Sequence, residues 1–147
     1  MAIEVLTEDE CRAVLANARI GHLACTRESQ PYIVPTHLDL DGDYLYGFAT
    51  LGQKIEWMRL NPRVCFQAED VVAQGQWSSV VVFGDYEELP DSPEYQDSRQ
   101  IAERLFQLRP MWWDPAMLPL ESRQPRAPIV FRIRIGRLTG RRAQDSP

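Results

Sequence analysis

Residues 31–50, PYIVPTHLDLDGDYLYGFAT, contain the pattern that decides the fold. Two strand-like runs, PYIVPTHLDL and YLYGFAT, flank the turn DGD, and an Asp-Gly pair between such runs is a strong signal for a β-hairpin. A short helix is predicted next, at 52–61, and it ends at Asn61-Pro62 because the residue before a proline avoids helical backbone angles. The stretch therefore predicts antiparallel strands that run directly into a helix.

On both sides of this hairpin, the sequence predicts further strands and few helices. Strand-like runs are predicted at six places, namely 20–26, 31–40, 44–50, 63–69, 76–89 and 128–138. In the last of them Phe131, Ile133 and Ile135 alternate with arginines, as in a strand with one apolar face. Because the order is not a repeating βαβ, a parallel doubly wound sheet is not expected. Six antiparallel strands with β-branched interiors predict a small closed or nearly closed barrel, which removes its own edges.

Two further helices are predicted beside these strands. Thr7 and Glu10 form a capping box ahead of apolar residues at helical spacing, so a short N-terminal helix is expected at about 7–18. Pro93 suits the first helical position, and a helix is expected at about 93–108.

The segment 109–128 is predicted to be an irregular, Trp-rich loop before the last strand. Its five prolines argue against regular structure, and its sequence MWWDPAML is too apolar for a free linker. We expect it to cover the barrel, a partner subunit or a ligand. With this loop included, residues 1–147 are predicted to form a single domain, since a chain of this length can bury a real core.

Composition and charge narrow the class of protein. Hydrophobic residues make up 44% and charged residues 25% of the sequence, as in soluble globular proteins. The net charge of −5 argues against a general affinity for nucleic acid or anionic membranes. No membrane-spanning run and no signal segment are found, so a cytoplasmic protein is predicted. Three cysteines without CxxC spacing favour buried thiols over disulfides or a metal site.

The junction ATLGQKIE, at 49–56, is the first candidate site. A helix N-terminus exposes unpaired N–H groups and a partial positive charge, so anions bind there readily. Thr50 offers a hydroxyl, and Gly52 lets the backbone approach a ligand closely. Gln53 and Lys54 occupy the first turn, where a lysine opposes the helix dipole unless an anion lies between them. The junction is either an ordinary strand-to-helix turn or a phosphate site, and it is neither a Walker loop nor G-x-G-x-x-G.

Several motifs together resemble one known family. PYIVPTH, a G-x-K at a helix start followed by NPRV, and W-S-S-V-V-V-x-G are similar to motifs of the pyridoxamine 5'-phosphate oxidase-like flavoproteins. The resemblance runs from about Ile20 to Arg141 and is closest to the nitroimidazole-resistance-type, flavin-nucleotide-binding branch. It implies a mainly β fold with flanking helices, a six-stranded antiparallel split β-barrel of the FMN-binding type. It also implies a homodimer with one FMN in each of two clefts at the subunit interface.

The resemblance further implies which residues bind FMN, in three groups. The phosphate would be held by Thr50, Gly52, Gln53 and Lys54. The isoalloxazine ring would lie along the backbone of Val34, Pro35 and Thr36. The phosphate and ribityl side would be completed by Trp77, Ser78 and Ser79. The alternative for Trp77 is core packing, and the two serines could instead satisfy local backbone groups.

The two histidines receive different interpretations. His37 follows IVPT and would lie near the flavin, which makes it the candidate catalytic residue. It could donate a hydrogen bond to a substrate or, as in haem-binding relatives of this barrel, bind iron; the alternative is a structural role. His22, beside Gly21 on the first strand, is interpreted as structural. The sequence shows no positioned Cys–His or Ser–His pair that would support nucleophilic chemistry.

Three functions of different classes remain open. The leading one is an FMN-dependent oxidoreductase that reduces a small aromatic or nitro-type acceptor with an external electron donor; a deazaflavin in place of FMN belongs to the same class. The second is a flavin carrier or sensor without turnover, and the third is a haem protein in which His37 meets iron. Oxidation of a vitamin substrate is not expected, because the C-terminal segment of true pyridoxamine phosphate oxidases is not evident. The Trp112-Trp113 patch adds to the expectation of a homodimer.

Overall fold

The computed structural model describes residues 2–108 and 128–145. The predicted Trp-rich loop, with Trp112 and Trp113, lies outside the described residues apart from its last position. In chain order the elements are β1 (Ala2–Val5), α1 (Glu8–Asn17), β2 (Gly21–Arg27), β3 (Gln30–Thr36), β4 (Asp39–Asp41), β5 (Tyr44–Ala49), α2 (Gln53–Leu60), β6 (Arg63–Ala73), β7 (Gln76–Glu88), a 3₁₀ turn (Pro93–Tyr95), α3 (Gln96–Gln107) and β8 (Ile129–Gln144).

The strands form one antiparallel sheet. Its order is β3-β2-β6-β7-β8-β5-β4, and β1 adds to the far end of β8. The two end strands, β3 and β4, are consecutive in the chain and separated by His37 and Leu38 alone. The sheet therefore curls until its margins approach each other. No hydrogen-bonded ladder joins β3 to β4 within the described residues, so the barrel is split. The predicted mainly β, antiparallel split-barrel class is confirmed.

Residues 2–108 and 128–145 contain eight strands, where six were predicted for the sequence. The predicted strand 31–40 is two strands, because the chain turns between Thr36 and Asp39. β1 was not predicted, since all four of its residues are exposed and it has no apolar face to give a periodic signal. The last strand runs to Gln144 instead of 138, because its second half pairs with both β7 and β1. The predicted removal of edges is also wrong, since β3 and β4 are edges.

The core lies inside the curled sheet and under α1 and α2. Alternate residues of the strands point inward, as the period of two requires, and Leu23, Phe66 and Phe131 are among the buried ones. The predicted helix α1 contributes Cys11, Val14 and Leu15 from one face. A second cluster joins α3 to the sheet through Tyr46, Leu89, Ala102 and Val130.

The capping box at the start of α1 is present. The Thr7 hydroxyl accepts from the Glu10 amide at 3.2 Å, and the Glu10 carboxylate accepts from the Thr7 amide at 3.0 Å. We expect Thr7→Ala to lower the free energy of unfolding by about 1 kcal/mol, because the Glu10 amide loses its hydrogen-bond acceptor. Urea denaturation monitored by far-UV circular dichroism measures this. Thr7→Ser should retain most of the stability, and an unchanged Thr7→Ala would show that the cap contributes nothing.

Candidate functional site

The junction between β5 and α2 is fixed firmly to the core. β5 pairs with β8 up to Ala49 opposite Ile129, so the chain leaves the sheet at Thr50. Ile55 and Met58 are fully buried and hold one face of α2 against the barrel interior. The Trp57 ring lies 5.5 Å from that of Tyr32 on β3. α2 thus follows β5 and packs beside β2 and β3.

Space is left beside Gly52, at the start of α2, that the packing of the described residues does not explain. Gly52 is the N-cap; it supplies no side-chain cap, and its carbonyl accepts from the Glu56 amide at 3.0 Å. Its φ of −169° is extended backbone that any residue adopts. A Cβ built on Gly52 would meet only the Thr50 carbonyl oxygen, at 3.9 Å, within the part of the chain that the structure describes. Neither conformation nor packing requires glycine there, whereas the close approach of a ligand would.

Lys54 adds a positive charge to this turn. It is the one lysine in the 147-residue sequence, and it is half-buried in the first turn of α2. Burial raises the pKa of the nearby Cys25 thiol, and the Lys54 charge acts in the opposite direction. The charge and the positive end of the helix dipole therefore coincide in one turn, as an anion site requires.

The other end of α2 is anchored by a network that the sequence did not reveal. Arg59 donates to both carboxylate oxygens of Glu88, at 2.8 and 3.0 Å, and the Tyr86 hydroxyl donates to Glu88 at 2.7 Å. The hydrogen bond from Arg59 holds the pKa of Glu88 below its usual value. The pKa of Tyr86 is raised mainly by burial and secondly by its hydrogen bond to Glu88. Asn61 donates to the Thr26 hydroxyl of β2 at 3.0 Å. These contacts fix the direction in which the N-terminus of α2 points.

The second predicted group, Val34, Pro35 and Thr36, lies on β3. This strand pairs with β2 on one side and is the edge of the sheet on the other. Its outward backbone groups therefore have no strand partner within the described residues. The structure therefore places this group on one edge strand of the sheet, and the β5–α2 junction follows β5, the neighbour of the other edge strand, β4.

The third predicted group, at the start of β7, lies elsewhere in the sheet. β2 and β6 separate β7 from β3, so one chain does not gather all three groups. Trp77 and Ser79 point to one face and Ser78 to the other, because neighbours on a strand alternate. Trp77 and Ser78 line a recess of about 320 Å³ with Arg142.

A polar row on the sheet links β2, β6 and β7. Gln67 donates from Nε2 to the Ser79 hydroxyl at 3.2 Å, and its Oε1 lies 3.4 Å from His22 Nδ1. Pro35 is the cross-strand neighbour of His22, so the row extends from β3 to β7. Neither Gln67 nor this contact of His22 was predicted. These contacts follow from the register between strands, which cannot be determined from a single sequence.

His37, the candidate catalytic residue, sits in the turn between β3 and β4 with both ring nitrogens engaged. Nδ1 is in contact with the Arg19 carbonyl oxygen, and Nε2 lies 2.9 Å from an Asp39 carboxylate oxygen. Both partners are acceptors. Iron binding or donation to a substrate would require His37 to leave one of them.

The described part of the chain has neither a metal-binding cluster nor a helix suited to crossing a membrane. Residues 2–108 and 128–145 hold no group of three or more His, Cys, Asp or Glu side chains arranged to bind a metal ion. None of the helices in these ranges combines the length and apolar character that crossing a membrane requires.

Comparison with known proteins identifies clear relatives. The family model described as pyridoxamine 5'-phosphate oxidase matches residues 7–142. An uncharacterised protein of Rhizobium meliloti (strain 1021) is 40% identical over an alignment of 146 positions that covers 97% of each chain. The crystal structure of an FAD-binding protein from Mesorhizobium loti is 40% identical with a TM-score of 0.83, covering 98% of this chain and 100% of that one. A candidate 5-nitroimidazole antibiotic resistance protein from Bacteroides thetaiotaomicron shares the fold, with 20% identity, a TM-score of 0.66 and coverage of 99% and 93%.

Proposed function

This chain belongs to the pyridoxamine 5'-phosphate oxidase family, and on that premise we propose that it binds a flavin nucleotide whose phosphate lies at the N-terminus of α2. The observation that carries the proposal is the β5–α2 junction. Its N-cap glycine is required by neither conformation nor packing, its first turn has no side-chain cap, and the one lysine of the sequence occupies that turn. FMN fits this site. FAD, the flavin named for the Mesorhizobium loti protein, contains the same riboflavin phosphate joined to adenosine monophosphate and is the alternative ligand for this site.

Each predicted group then has a defined task. Thr50, Gly52, Gln53 and Lys54 hold the phosphate through a hydroxyl, backbone N–H groups and a charge. The isoalloxazine ring lies along the edge of β3, where the backbone at Val34, Pro35 and Thr36 borders the split. A flavin supplies electron transfer between a donor and an acceptor, and the chain itself supplies binding and orientation. His37 takes no part, because Arg19 and Asp39 engage both of its nitrogens.

A homodimer completes the proposed site. Trp77, Ser78 and Ser79 are separated from β3 by two strands, so a second subunit is the simplest means of bringing them to the flavin. Ile33, Val71 and Val72 are 62%, 63% and 73% exposed, which leaves apolar surface near β3 and at the β6–β7 turn for such a partner. The proposed reaction is reduction of a small aromatic or nitro-type acceptor by an external donor. Three free thiols and a net charge of −5 support a cytoplasmic location.

The experiment is an absorption spectrum of the purified protein before and after addition of FMN or FAD, with mass analysis of any cofactor released on denaturation. A two-band flavin spectrum that NADH or NADPH bleaches and a nitroaromatic acceptor restores would support the oxidoreductase. Flavin bound without turnover would instead support the carrier or sensor. A Soret band would favour the haem alternative, and a colourless protein that ignores both flavins would contradict the proposal.

A further inference from the structure

A cavity lies on the outer face of the sheet. It has a volume of about 440 Å³, within the range of small-molecule sites, and is lined by residues of β2, β3, β6, β7 and β8. Cys65 belongs to the lining, whereas the side chains of its neighbours Val64 and Phe66 are buried in the core, because successive residues of a strand face opposite sides. α2 packs on the core side through Ile55 and Met58. The cavity is therefore distinct from the proposed phosphate site.

A β-bulge forms part of the cavity wall. Phe83 lies opposite Arg137 while the next residue of β7, Gly84, lies opposite Ile135, so Gly136 is the extra residue of β8. A Cβ on Gly136 would come within 3.0 Å of the Phe83 carbonyl oxygen. Gly84 and Gly136 both line the cavity, so this part of its wall carries no side chain. β-Bulges are frequent beside binding sites, where they change the direction of neighbouring side chains.

The floor of the cavity is an apolar row. Ala24, Cys65 and Phe83 are successive cross-strand neighbours on β2, β6 and β7, and all three are half-buried. Arg137 continues the row on β8, and its guanidinium lies 4.2 Å from the centre of the Phe83 ring. A stacked guanidinium keeps its N–H donors at its edge, so it presents a flat surface and a charge together. A planar ring therefore fits this floor.

Two arginines of the lining have no carboxylate partner. The arginine ion pairs of the described residues involve Arg12, Arg59, Arg132, Arg134 and Arg142. Arg63 and Arg137, which line the cavity, are not among them. Asp85 is the cross-strand neighbour of Arg63, but its carboxylate pairs with Arg134 at 2.9 Å. In a chain with a net charge of −5, two such guanidinium groups in one cavity favour an anionic ligand.

Side chains, not the backbone, supply the polar groups of this cavity. β2, β6 and β7 each have a neighbouring strand on both sides, so their backbone N–H groups are used within the sheet. Arg63 on β6 and Arg137 on β8 stand on either side of β7. The forked guanidinium group matches two oxygens of a carboxylate or a phosphate. The lining thus combines a flat apolar floor with two charged donors at its sides.

We infer that this cavity binds a small planar aromatic anion. The ring lies on the row of Ala24, Cys65 and Phe83, and the anionic group lies between Arg63 and Arg137. The site is separate from the flavin site, so the protein holds two ligands independently. Aromatic carboxylates and aromatic phosphates present the same chemistry to the two arginines, and the experiment compares them directly.

Cys65 is a natural reporter for the occupancy of this cavity. It is half-buried in the lining, whereas Cys11 and Cys25 are 1% and 2% exposed. The test is the rate of Cys65 alkylation by iodoacetamide, measured by mass spectrometry at fixed pH and ionic strength. Saturating benzoate or phenyl phosphate should slow this reaction about fivefold or more, because the bound ring covers the thiol. Acetate and the uncharged benzyl alcohol, at the same concentrations, should leave the rate nearly unchanged.

Three arginine variants test the source of the affinity. Arg63→Ala and Arg137→Ala should each raise the ligand concentration that gives half-protection about tenfold, because each removes a charge-assisted contact. Arg104→Ala is the control, since Arg104 is equally exposed but lies on α3, outside the cavity lining. The probe that protects at the lower concentration, benzoate or phenyl phosphate, identifies the anionic group that the site prefers.

Three results would overturn the inference. The first is protection that acetate gives equally, or that persists in both Arg63→Ala and Arg137→Ala. The second is a Cys65 that reacts in urea but not in the native protein. Ile33, part of the surface proposed for a second subunit, is the cross-strand neighbour of Ala24, so this result would mean that the partner covers the cavity. The third is protection of Cys65 by FMN that Arg137→Ala abolishes, which would assign the cavity to the flavin. Flavin binding itself is measured by absorption, so the proposed function is tested separately.

Discussion

Lys54→Ala is expected to raise the flavin dissociation constant about 10- to 150-fold, because a charge-assisted contact to a phosphate contributes about 1.5–3 kcal/mol. Lys54 lies in the first turn of α2, where its charge is unfavourable to the helix dipole unless an anion is bound. The same substitution should therefore leave the stability of the flavin-free protein unchanged or slightly higher. Flavin fluorescence titration at fixed ionic strength measures the first effect, and urea denaturation measures the second.

Two companion variants isolate the contributions of charge and space. Lys54→Arg keeps the charge and should bind flavin within several-fold of the wild type. Gly52→Val places a side chain where the closest described atom is 3.9 Å away, so the fold should tolerate it while flavin binding is lost. Unchanged flavin affinity in both Lys54→Ala and Gly52→Val would contradict a phosphate at this helix terminus.

Phe131→Ala is expected to lower the free energy of unfolding by about 3–5 kcal/mol, the usual cost of removing a buried aromatic ring. Phe131 is fully buried on β8, and its ring lies 5.4 Å from that of Tyr86. It also fills the space above Gly47 on β5, where an added Cβ would come within 2.9 Å of the ring. The ring thus packs across three neighbouring strands, β5, β7 and β8, so its removal leaves a cavity in the core.

Urea denaturation at 25 °C, compared with Val5→Ala, measures this effect. Val5 is 71% exposed on β1, so its truncation should change the free energy of unfolding by less than about 0.5 kcal/mol. A loss below about 1 kcal/mol for Phe131→Ala would mean that the barrel interior rearranges freely.

The sequence predicts the parts of the fold whose signals are local. The capping box at Thr7 and the DGD turn depend on residues within a few positions of each other, and the structure confirms the helix and the hairpin. The N-terminal strand β1 could not be predicted, because it is stabilised by pairing with Arg141–Gln144, which lie far away in the sequence. The turn at His37 could not be predicted for a similar reason, because the His37 ring contacts the backbone carbonyl of Arg19, which is distant in the sequence.

The features of the candidate site also differ in whether they depend on neighbouring or on distant residues in the sequence. The β5–α2 junction could be predicted, because a helix N-terminus, a glycine and a lysine are adjacent in sequence. The Arg59–Glu88 anchor and the Gln67–Ser79 bond could not, because each depends on strand register or helix packing. Whether Trp77 and Ser79 reach the flavin depends on a second subunit, which no local pattern describes.

The position of the flavin phosphate is tested most directly by acetylating the protein with and without saturating FMN or FAD and quantifying the modified peptides by mass spectrometry. Lys54 carries the only side-chain amine in the sequence, so its modification reports on the proposed site alone. The α-amine of the chain serves as an internal control. A phosphate held at α2 predicts that flavin strongly suppresses acetylation of Lys54 and leaves the α-amine unaffected. Equal acetylation of Lys54 in flavin-bound and flavin-free protein would contradict the proposed site.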